Sequence, residues 1–122
     1  MIVAPAAFTA QGTGSLPAAP RAQGRTAEIL VYDIIGEDPW FGGGISARGF
    51  AEDLIALGLG PNDTLTLRVN SPGGNVWEGL AIYNTLLGYP ARKVVKVEGI
   101  AASAASFLIQ AADEIEMAPA SE

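Results

Sequence analysis

Two short turns, rich in glycine, alanine and serine and one βα unit apart, constrain the fold of this chain more than any other feature. Residues 69–75 read VNSPGGN, and residues 99–106 read GIAASAAS. Each stretch follows a short apolar run and precedes a helical pattern, so each is predicted to be a strand-to-helix turn. Open α/β sheets usually build their sites at the carboxyl ends of neighbouring parallel strands, so the sequence predicts a site between the two turns.

The two turns offer different chemical groups. Gly73 and Gly74 can take backbone angles closed to other residues, and they let a substrate approach their backbone without a Cβ in the way. Ser103 supplies a hydroxyl near the first turn of a helix, where unpaired N–H groups and the helix dipole favour an anion. Acyl transfer needs such a nucleophile, with donors for the oxygen that becomes negative. The alternatives are a well-capped turn without chemistry and a serine that only packs in an alanine-rich helix.

The remainder of the chain predicts a parallel α/β architecture, because short strand-like runs alternate with helical patterns and no hairpin signal is present. Strand-like runs occupy residues 28–36, 64–70 and 92–99, and a further run begins at residue 114. The first run is apolar on both faces, as expected for a strand buried in a parallel sheet.

Three helices are predicted between these strands. The first begins after Ser46 as N-cap and stops at Gly58, and the second begins at Asn75, where Glu78 completes a capping box. The third covers residues 101–112, is apolar on all sides and is therefore expected to be buried. The predicted docking stripes are Phe50, Leu54 and Leu57 on the first helix, and Val76, Leu80, Tyr83 and Leu87 on the second.

Composition narrows the class of protein. The 122 residues are 49% hydrophobic and carry a formal net charge of −6, which argues against a nucleic-acid partner or an anionic membrane surface. The absence of cysteine and histidine excludes disulfides and thiolate metal sites and removes the commonest metal ligand, so we expect neither a metal nor another cofactor. No apolar run approaches the ~18 residues of a membrane span, and we expect a soluble, cytoplasmic protein.

Two segments carry little periodicity. Residues 1–27 contain three prolines and three glycines and are predicted to be a flexible leader, with the folded domain at residues 28–122. This leader is a tether, a propeptide or an unstructured terminus without a role. The loop at residues 37–44 carries Trp40 and Phe41, which either contact a substrate or neighbouring subunit or pack on the sheet.

Two segments resemble the ClpP-type serine peptidases. They are NSPGGNVWEGLAIYNTL, from Asn70, and KVVKVEGIAASAASFLIQAADEIEMAP, from Lys93. The resemblance runs from about Glu28 to the last residue. It is closest to the phage and prophage branch of head maturation proteases, in which ISARGFAEDLIALG, from Ile45, also has a counterpart. The resemblance implies a ClpP- or crotonase-like ββα superhelix, here truncated.

The resemblance also implies an activity and a site. Ser103 would be the nucleophile of an ATP-independent or chaperone-linked endopeptidase, and the amides of Ala104, Gly73 and Gly74 would form the oxyanion hole. Protein or peptide substrates and a homo-oligomeric ring are implied as partners, with capsid-assembly proteins as substrates in the phage branch. The family's histidine and aspartate lie beyond the strand that begins at residue 114. We therefore interpret the chain as the N-terminal portion of a peptidase domain that is inactive by itself.

Two alternatives remain open at this point. Lys93 and Lys96 are the only lysines, and a lysine base would make the chain similar to the signal-peptide-peptidase relatives. Both lysines precede Ser103 on the same predicted strand, where the family layout does not place the base. The other alternative is a non-catalytic domain that keeps the fold and forms rings.

Overall fold

The computed structural model describes residues 2–4, 24–37 and 43–122. Its strands are β1 Ile2–Ala4, β2 Thr26–Val31, β3 Gly36–Glu37, β4 Gly44–Ile45, β5 Thr64–Ser71, β6 Arg92–Ala101 and β7 Glu114–Met117. Its helices are α1 Ala47–Leu57, α2 Val76–Gly88 and α3 Ala104–Leu108, and a 3₁₀ helix at Ile109–Ala111 follows α3 directly.

The main sheet has five strands in the order β1-β2-β5-β6-β7. Strands β2, β5, β6 and β7 are mutually parallel, and β1 pairs antiparallel with β2. The register aligns Val31 with Val69 and Val69 with Val97, so the strands β2, β5 and β6 end at one edge. The predicted parallel α/β architecture is confirmed. The β1–β2 pairing and the small antiparallel pair β3–β4 were not predicted, because neither has a tight-turn sequence between its strands.

The core lies between one face of the sheet and the three helices. Alternate residues of the strands, such as Ile29, Leu67 and Val97, are fully buried in it. The residues between them point to the opposite face, where Arg68 pairs with Glu28 and Glu98 across three strands at N–O distances of 3.3 and 2.8 Å. The sheet therefore has an apolar face under the helices and a charged face that is partly exposed.

Helix α1 forms as predicted. The hydroxyl of its N-cap Ser46 accepts a hydrogen bond from the N–H of Gly49 at 3.0 Å. Gly58 ends the helix in the left-handed conformation, at φ 58°, and donates to the carbonyl of Leu54 at 3.2 Å. The predicted stripe is buried, so the helix docks on the sheet through the residues expected.

Helix α2 begins after the predicted N-cap but docks through a different face. The predicted capping box is not completed, because the Asn75 N–H donates to the Ile35 carbonyl and the Glu78 carboxylate accepts from the Ala47 N–H at 3.4 Å. The side chain of Asn75 caps the helix by accepting from the Glu78 N–H at 3.0 Å. The predicted docking stripe is wrong, because Val76 and Leu87 are 60% and 52% exposed. The residues that the helix buries are Gly79, Ile82 and Leu86. The physical reason is α3, which packs so closely that a Cβ at Gly79 would lie 3.0 Å from the Cβ of Ala104.

The predicted third helix at residues 101–112 is too long and is not buried on all sides. Strand β6 continues to Ala101, and α3 starts only at Ala104 because Ser103 has a positive φ of 52°. Ser106 and Phe107 are exposed, so the short helix has an outer face.

The start of the domain also differs from the sequence prediction. Strand β2 ends at Val31, not at residue 36, because Asp33 bends the chain by accepting the N–H of Ile34 at 2.7 Å. Part of the predicted leader belongs to the sheet, since Ile2–Ala4 forms β1 and Thr26 begins β2. Residues 5–23, with Trp40 and Phe41 of the predicted loop, lie outside the described residues.

Within the part of the chain that the structure describes, no helix is long and apolar enough to cross a membrane.

Candidate active site

The two turns predicted to form a site lie next to each other at the carboxyl ends of β5 and β6. The register pairs Ser71 at the end of β5 with Ala101 at the end of β6. One residue further on, the N–H of Ala102 donates to the carbonyl oxygen of Ser71 at 3.2 Å. The ends of these strands therefore hold the glycine turn against the turn that contains Ser103.

Gly73 is the point of closest approach between the turns. A Cβ atom at this position would lie 2.5 Å from the carbonyl oxygen of Ala102, 2.7 Å from the Cβ of Ser103 and 2.9 Å from the nitrogen of Ala104. Real Cβ atoms do not tolerate such distances, and the φ of 98° also favours glycine. The absence of a side chain at residue 73 is thus a condition for the two turns to meet.

Ser103 stands in a strained backbone conformation at the tip of its turn. Its φ and ψ are 52° and −125°, a combination that residues with a side chain rarely adopt. The residue is exposed, and its hydroxyl makes no hydrogen bond with any described residue. The conformation resembles the sharp strand-to-helix turn that presents a serine hydroxyl in α/β-hydrolases. Ser103 is therefore presented outward with its hydroxyl available.

Two backbone amides of the two turns have no acceptor among the described residues, those of Ala104 and Gly74. The N–H of Ala104 is free because this residue opens α3, and Gly74 is exposed in the turn. The N–H of Gly73 is different, since it donates to the hydroxyl of Ser71 at 3.1 Å. Of the two glycines predicted to supply oxyanion donors, Gly74 is the one whose amide is available.

A third segment, residues 33–35, holds the glycine turn from its other side. The hydroxyl of Ser71 donates to the carbonyl oxygen of Asp33 at 2.7 Å. The N–H of Ile35 donates to the carbonyl of Gly73 at 2.9 Å, and the N–H of Asn75 donates to the carbonyl of Ile35 at 2.8 Å. This segment was not predicted from the sequence. It lies beside the glycine turn because β2 and β5 pair in parallel, and no local sequence pattern indicates that pairing.

The backbone of Glu122 lies at the same end of the sheet. The N–H of Glu122 donates to the carbonyl of Gly99 at 2.9 Å, and the N–H of Ala101 donates to the carbonyl of Glu122 at 2.7 Å. The backbone of Glu122 therefore pairs with the strand residues that lead into Ser103.

Neither lysine is brought to Ser103. Lys93 is buried near the amino end of β6, where its ammonium donates to the carbonyls of Tyr89 and Ala91 at 2.8 and 3.1 Å. Lys96 lies five residues before Ala101, a separation of roughly 16 Å along a strand. The geometry gives no support to a lysine of this strand as the base for Ser103.

Glu98 is the acidic residue of β6 closest in sequence to Ser103. Its carboxylate lies on the charged face of the sheet and is bound by Arg68. The guanidinium of Arg68 binds its two carboxylate oxygens at 2.8 and 3.0 Å and holds the pKa of Glu98 below its usual range. The hydroxyl of Tyr32 also donates to this carboxylate, which raises the pKa of Tyr32. Glu98 is thus an ionised member of an ion-pair network.

Among residues 2–4, 24–37 and 43–122, no cluster of three or more acidic, histidine or cysteine side chains is arranged to hold a metal ion.

Comparison with known families adds independent information about this arrangement. The family model described as Clp protease matches residues 44–121, which include both turns and all three helices. The chain belongs to the Clp protease family. The similarity to ClpP-type peptidases inferred from the two motifs is confirmed at the level of the family.

Individual relatives agree with this assignment. The chain is 34% identical over 67 residues to ATP-dependent Clp protease proteolytic subunit 2 of Mycolicibacterium paratuberculosis, covering 55% of this chain and 34% of the relative. It is 45% identical over 51 residues to proteolytic subunit 1 of Gloeobacter violaceus, covering 42% of this chain and 26% of the relative. The chain thus spans about a third or less of the length of these curated relatives.

A solved structure agrees as well. ClpP1 from Listeria monocytogenes superposes with a TM-score of 0.58 at 26% identity, over 70% of this chain and 46% of that chain. The predicted ClpP-like α/β fold is therefore confirmed. The assignment to the head maturation branch stays a prediction.

Proposed function

We propose that this chain carries the nucleophile and oxyanion hole of a ClpP-type serine endopeptidase, with Ser103 as the nucleophile. The observation that supports this most directly is the juxtaposition at the tip of the turn. An exposed hydroxyl on the strained Ser103 precedes the Ala104 amide, and the glycine turn that carries the Gly74 amide packs against this residue through Gly73. Neither amide has an acceptor among the described residues. Membership of the Clp protease family adds the reaction class.

The proposed chemistry follows from these groups. The Ser103 oxygen attacks the carbonyl carbon of a peptide bond, and the carbonyl oxygen becomes negative as the tetrahedral intermediate forms. The N–H groups of Ala104 and Gly74 donate to that oxygen, which stabilises it by several kcal/mol in comparable sites. Gly73 contributes by leaving no side chain between the turns. Collapse of the intermediate releases the amine and leaves an acyl-enzyme, which water then hydrolyses.

A base must take the proton of Ser103 during the attack and deliver it to the leaving amine. The 122 residues contain no histidine, and neither lysine is brought to Ser103. We propose that the base is supplied from outside these 122 residues. By itself the chain should then show trace peptidase activity at most, because removal of triad members typically costs about 10⁴–10⁶ in turnover.

Labelling with a fluorophosphonate probe tests the assignment. We expect trace labelling of the 122-residue chain in plain buffer and faster labelling when imidazole is added as a diffusible base. Mass spectrometry of the digested product should place the phosphonyl group on Ser103. The Ser103→Ala variant should lose the signal. Thr85→Ala, which removes a hydroxyl within α2 away from both turns, should keep it.

Two outcomes would contradict this proposal in different ways. Stoichiometric labelling of Ser103 without imidazole would show that the chain supplies its own base. Labelling that is absent at every imidazole concentration, or that survives in Ser103→Ala, would argue against Ser103 as nucleophile. It would favour the second candidate, a non-catalytic domain that takes part in assembly.

We further propose that the protein belongs to the phage and prophage branch and acts on capsid-assembly proteins. The support is the resemblance of residues 45–58, ISARGFAEDLIALG, to the corresponding segment of head maturation proteases. The named relatives are proteolytic subunits of ATP-dependent enzymes, which is the competing role. Sequencing around the reading frame discriminates between the two. Neighbouring capsid genes would support the phage role, and a neighbouring gene for a Clp ATPase would contradict it.

A homo-oligomeric ring is the assembly proposed for this chain. The support is an apolar surface formed by Val76, Tyr83 and Leu87 of α2 with Phe107 of α3, here called the α2–α3 face. The rings of Tyr83 and Phe107 stack with their centroids 5.0 Å apart, which makes this surface continuous across the two helices. Three of its four residues are at least 40% exposed. Exposed apolar patches of this kind mark interaction sites.

A further inference from the structure

Ser71 is the most connected buried polar residue next to the proposed site. It is the last residue of β5 and is fully buried. Its hydroxyl donates to the carbonyl of Asp33 at 2.7 Å and accepts the N–H of Gly73 at 3.1 Å. Its own carbonyl oxygen accepts the N–H of Ala102 at 3.2 Å. The hydroxyl therefore has one donor bond and one acceptor bond, both to backbone.

These three hydrogen bonds join three separate segments at one residue. Asp33 belongs to the stretch that follows β2, Gly73 to the glycine turn, and Ala102 to the turn that leads into Ser103. Gly73 is followed by Gly74, the proposed oxyanion donor, and Ala102 is followed by Ser103, the proposed nucleophile. The distance between the proposed oxyanion donor and the nucleophile therefore depends on Ser71.

We infer that Ser71 is a positioning residue for the acylation of Ser103, an inference that rests on the proposed function. Its hydroxyl holds the peptide between Pro72 and Gly73 in one orientation by engaging the buried Gly73 amide. The next peptide carries the Gly74 N–H, and its carbonyl, on Gly73, accepts the N–H of Ile35 at 2.9 Å. Ser71 and Ile35 thus fix two successive peptides, and the Gly74 amide is left available to a substrate oxygen. Ser71 acts through the backbone and has no contact with the reacting atoms of its own.

Loss of the Ser71 hydroxyl is expected to displace the Gly74 donor. A buried amide that loses its acceptor is strongly disfavoured, so without the Ser71 hydroxyl the Gly73 peptide is driven to rotate toward another partner. Glycine presents little barrier to such a rotation. A displacement of the neighbouring donor by about 1 Å is enough to cost ~10²-fold in rate, because oxyanion donors act only at the correct distance and angle.

The test compares Ser71→Ala with the unaltered chain in two measurements. In amide hydrogen exchange followed by NMR, the protection of the Gly73 N–H is expected to fall at least tenfold. In imidazole-assisted labelling by a fluorophosphonate, the maximal rate constant for Ser103 is expected to fall at least tenfold. The probe concentration that gives half the maximal rate should stay within about twofold, since the site that receives the probe remains.

Control variants separate positioning from a general loss of stability. Thr85→Ala removes a hydroxyl that donates to the Ala81 carbonyl within α2 at 2.8 Å, away from both turns, and should change neither measurement. Ser71→Thr keeps the hydroxyl and should restore the labelling rate. If Ser71→Ala does not fold, Ser71→Cys replaces it, because a thiol of similar size forms weaker hydrogen bonds and should give intermediate values.

Two results would overturn the inference. One is unchanged protection of Gly73 in a folded Ser71→Ala chain, and the other is lost protection with an unchanged labelling rate. Failure of the proposed function looks different, because the unaltered chain would then not be labelled at Ser103 at any imidazole concentration. That result removes the catalytic role of Ser71 as well. The exchange measurement still decides whether Ser71 holds the glycine turn.

Discussion

Replacing Gly74 by alanine is expected to lower the free energy of unfolding by about 1–3 kcal/mol, a sizeable part of the 5–15 kcal/mol of an ordinary domain. A Cβ at this position would overlap the carbonyl oxygen of Ile35 and lie 2.9 Å from the Ile35 nitrogen. Both atoms belong to backbone that cannot move without breaking the bonds that hold the glycine turn. In the molecules that remain folded, imidazole-assisted labelling of Ser103 should fall about 10²–10³-fold, the usual cost of a lost oxyanion donor.

Gly88→Ala is the matched control for Gly74→Ala. Gly88 ends α2, and a Cβ there would have no neighbouring atom within 4 Å. This variant should be neutral or more stable by up to about 1 kcal/mol, because alanine restricts the unfolded chain. Urea unfolding at neutral pH measures both variants. Equal urea midpoints for the two would mean that the contact between Gly74 and Ile35 is absent in solution.

The second large effect is on the state of association. We expect the 122-residue chain at tens of micromolar to have a mass by static light scattering of at least twice the monomer, because the α2–α3 face exposes apolar side chains. Stable interfaces bury about 1,200–2,000 Å², and a charge at the centre of one is costly. Leu87→Glu should therefore raise the dissociation constant at least tenfold, which corresponds to about 1.4 kcal/mol.

Ile55→Glu tests whether this effect is specific to the α2–α3 face. Ile55 is 78% exposed on α1, so the substitution adds the same charge at a similarly exposed apolar position elsewhere. Its dissociation constant should match that of the unaltered chain. A monodisperse monomer at all concentrations would count against assembly through any face. Dissociation by Ile55→Glu but not by Leu87→Glu would place the interface on α1.

The parts of the fold that were predicted correctly depend on local signals. Ser46 and Gly58 delimit α1 because a hydroxyl before a helix and a left-handed glycine after it act through bonds within a few residues. Asn75 caps α2 for the same reason. These interactions do not depend on the rest of the molecule, so the sequence alone specifies them.

The buried face of α2 could not be predicted from local sequence signals. The helix carries apolar residues on most of its surface, so its periodicity is compatible with more than one buried face. Close packing of α3 on Gly79 selects the face. A glycine in the middle of a helix was the available signal, since it marks a place where another element approaches closely. The exposed stripe of α2 then becomes the surface that we propose for assembly.

The candidate site also has a part that was predicted from the sequence and a part that was not. That the two turns meet was predicted from two motifs, because the carboxyl ends of neighbouring parallel strands lie at one edge of the sheet. The supporting residues Ser71 and Ile35 were not predicted, since their roles come from contacts between segments far apart in the chain. The sequence also could not show which of the two glycine amides is available. The two amides are adjacent, and they differ because the Gly73 N–H donates to the Ser71 hydroxyl.

The pairing of Glu122 with the end of β6 has a practical consequence for anyone producing this protein. Any affinity tag or fusion partner attached after Glu122 begins alongside Gly99 and Ala101, and Ala101 is two residues from Ser103. Such an addition can shield the hydroxyl from a probe, or it can place a foreign histidine near Ser103, which confounds a labelling test designed for a chain without histidine. A carboxyl-terminal polyhistidine tag is therefore the purification handle to avoid, and an amino-terminal tag removed by cleavage leaves the reactivity of Ser103 interpretable.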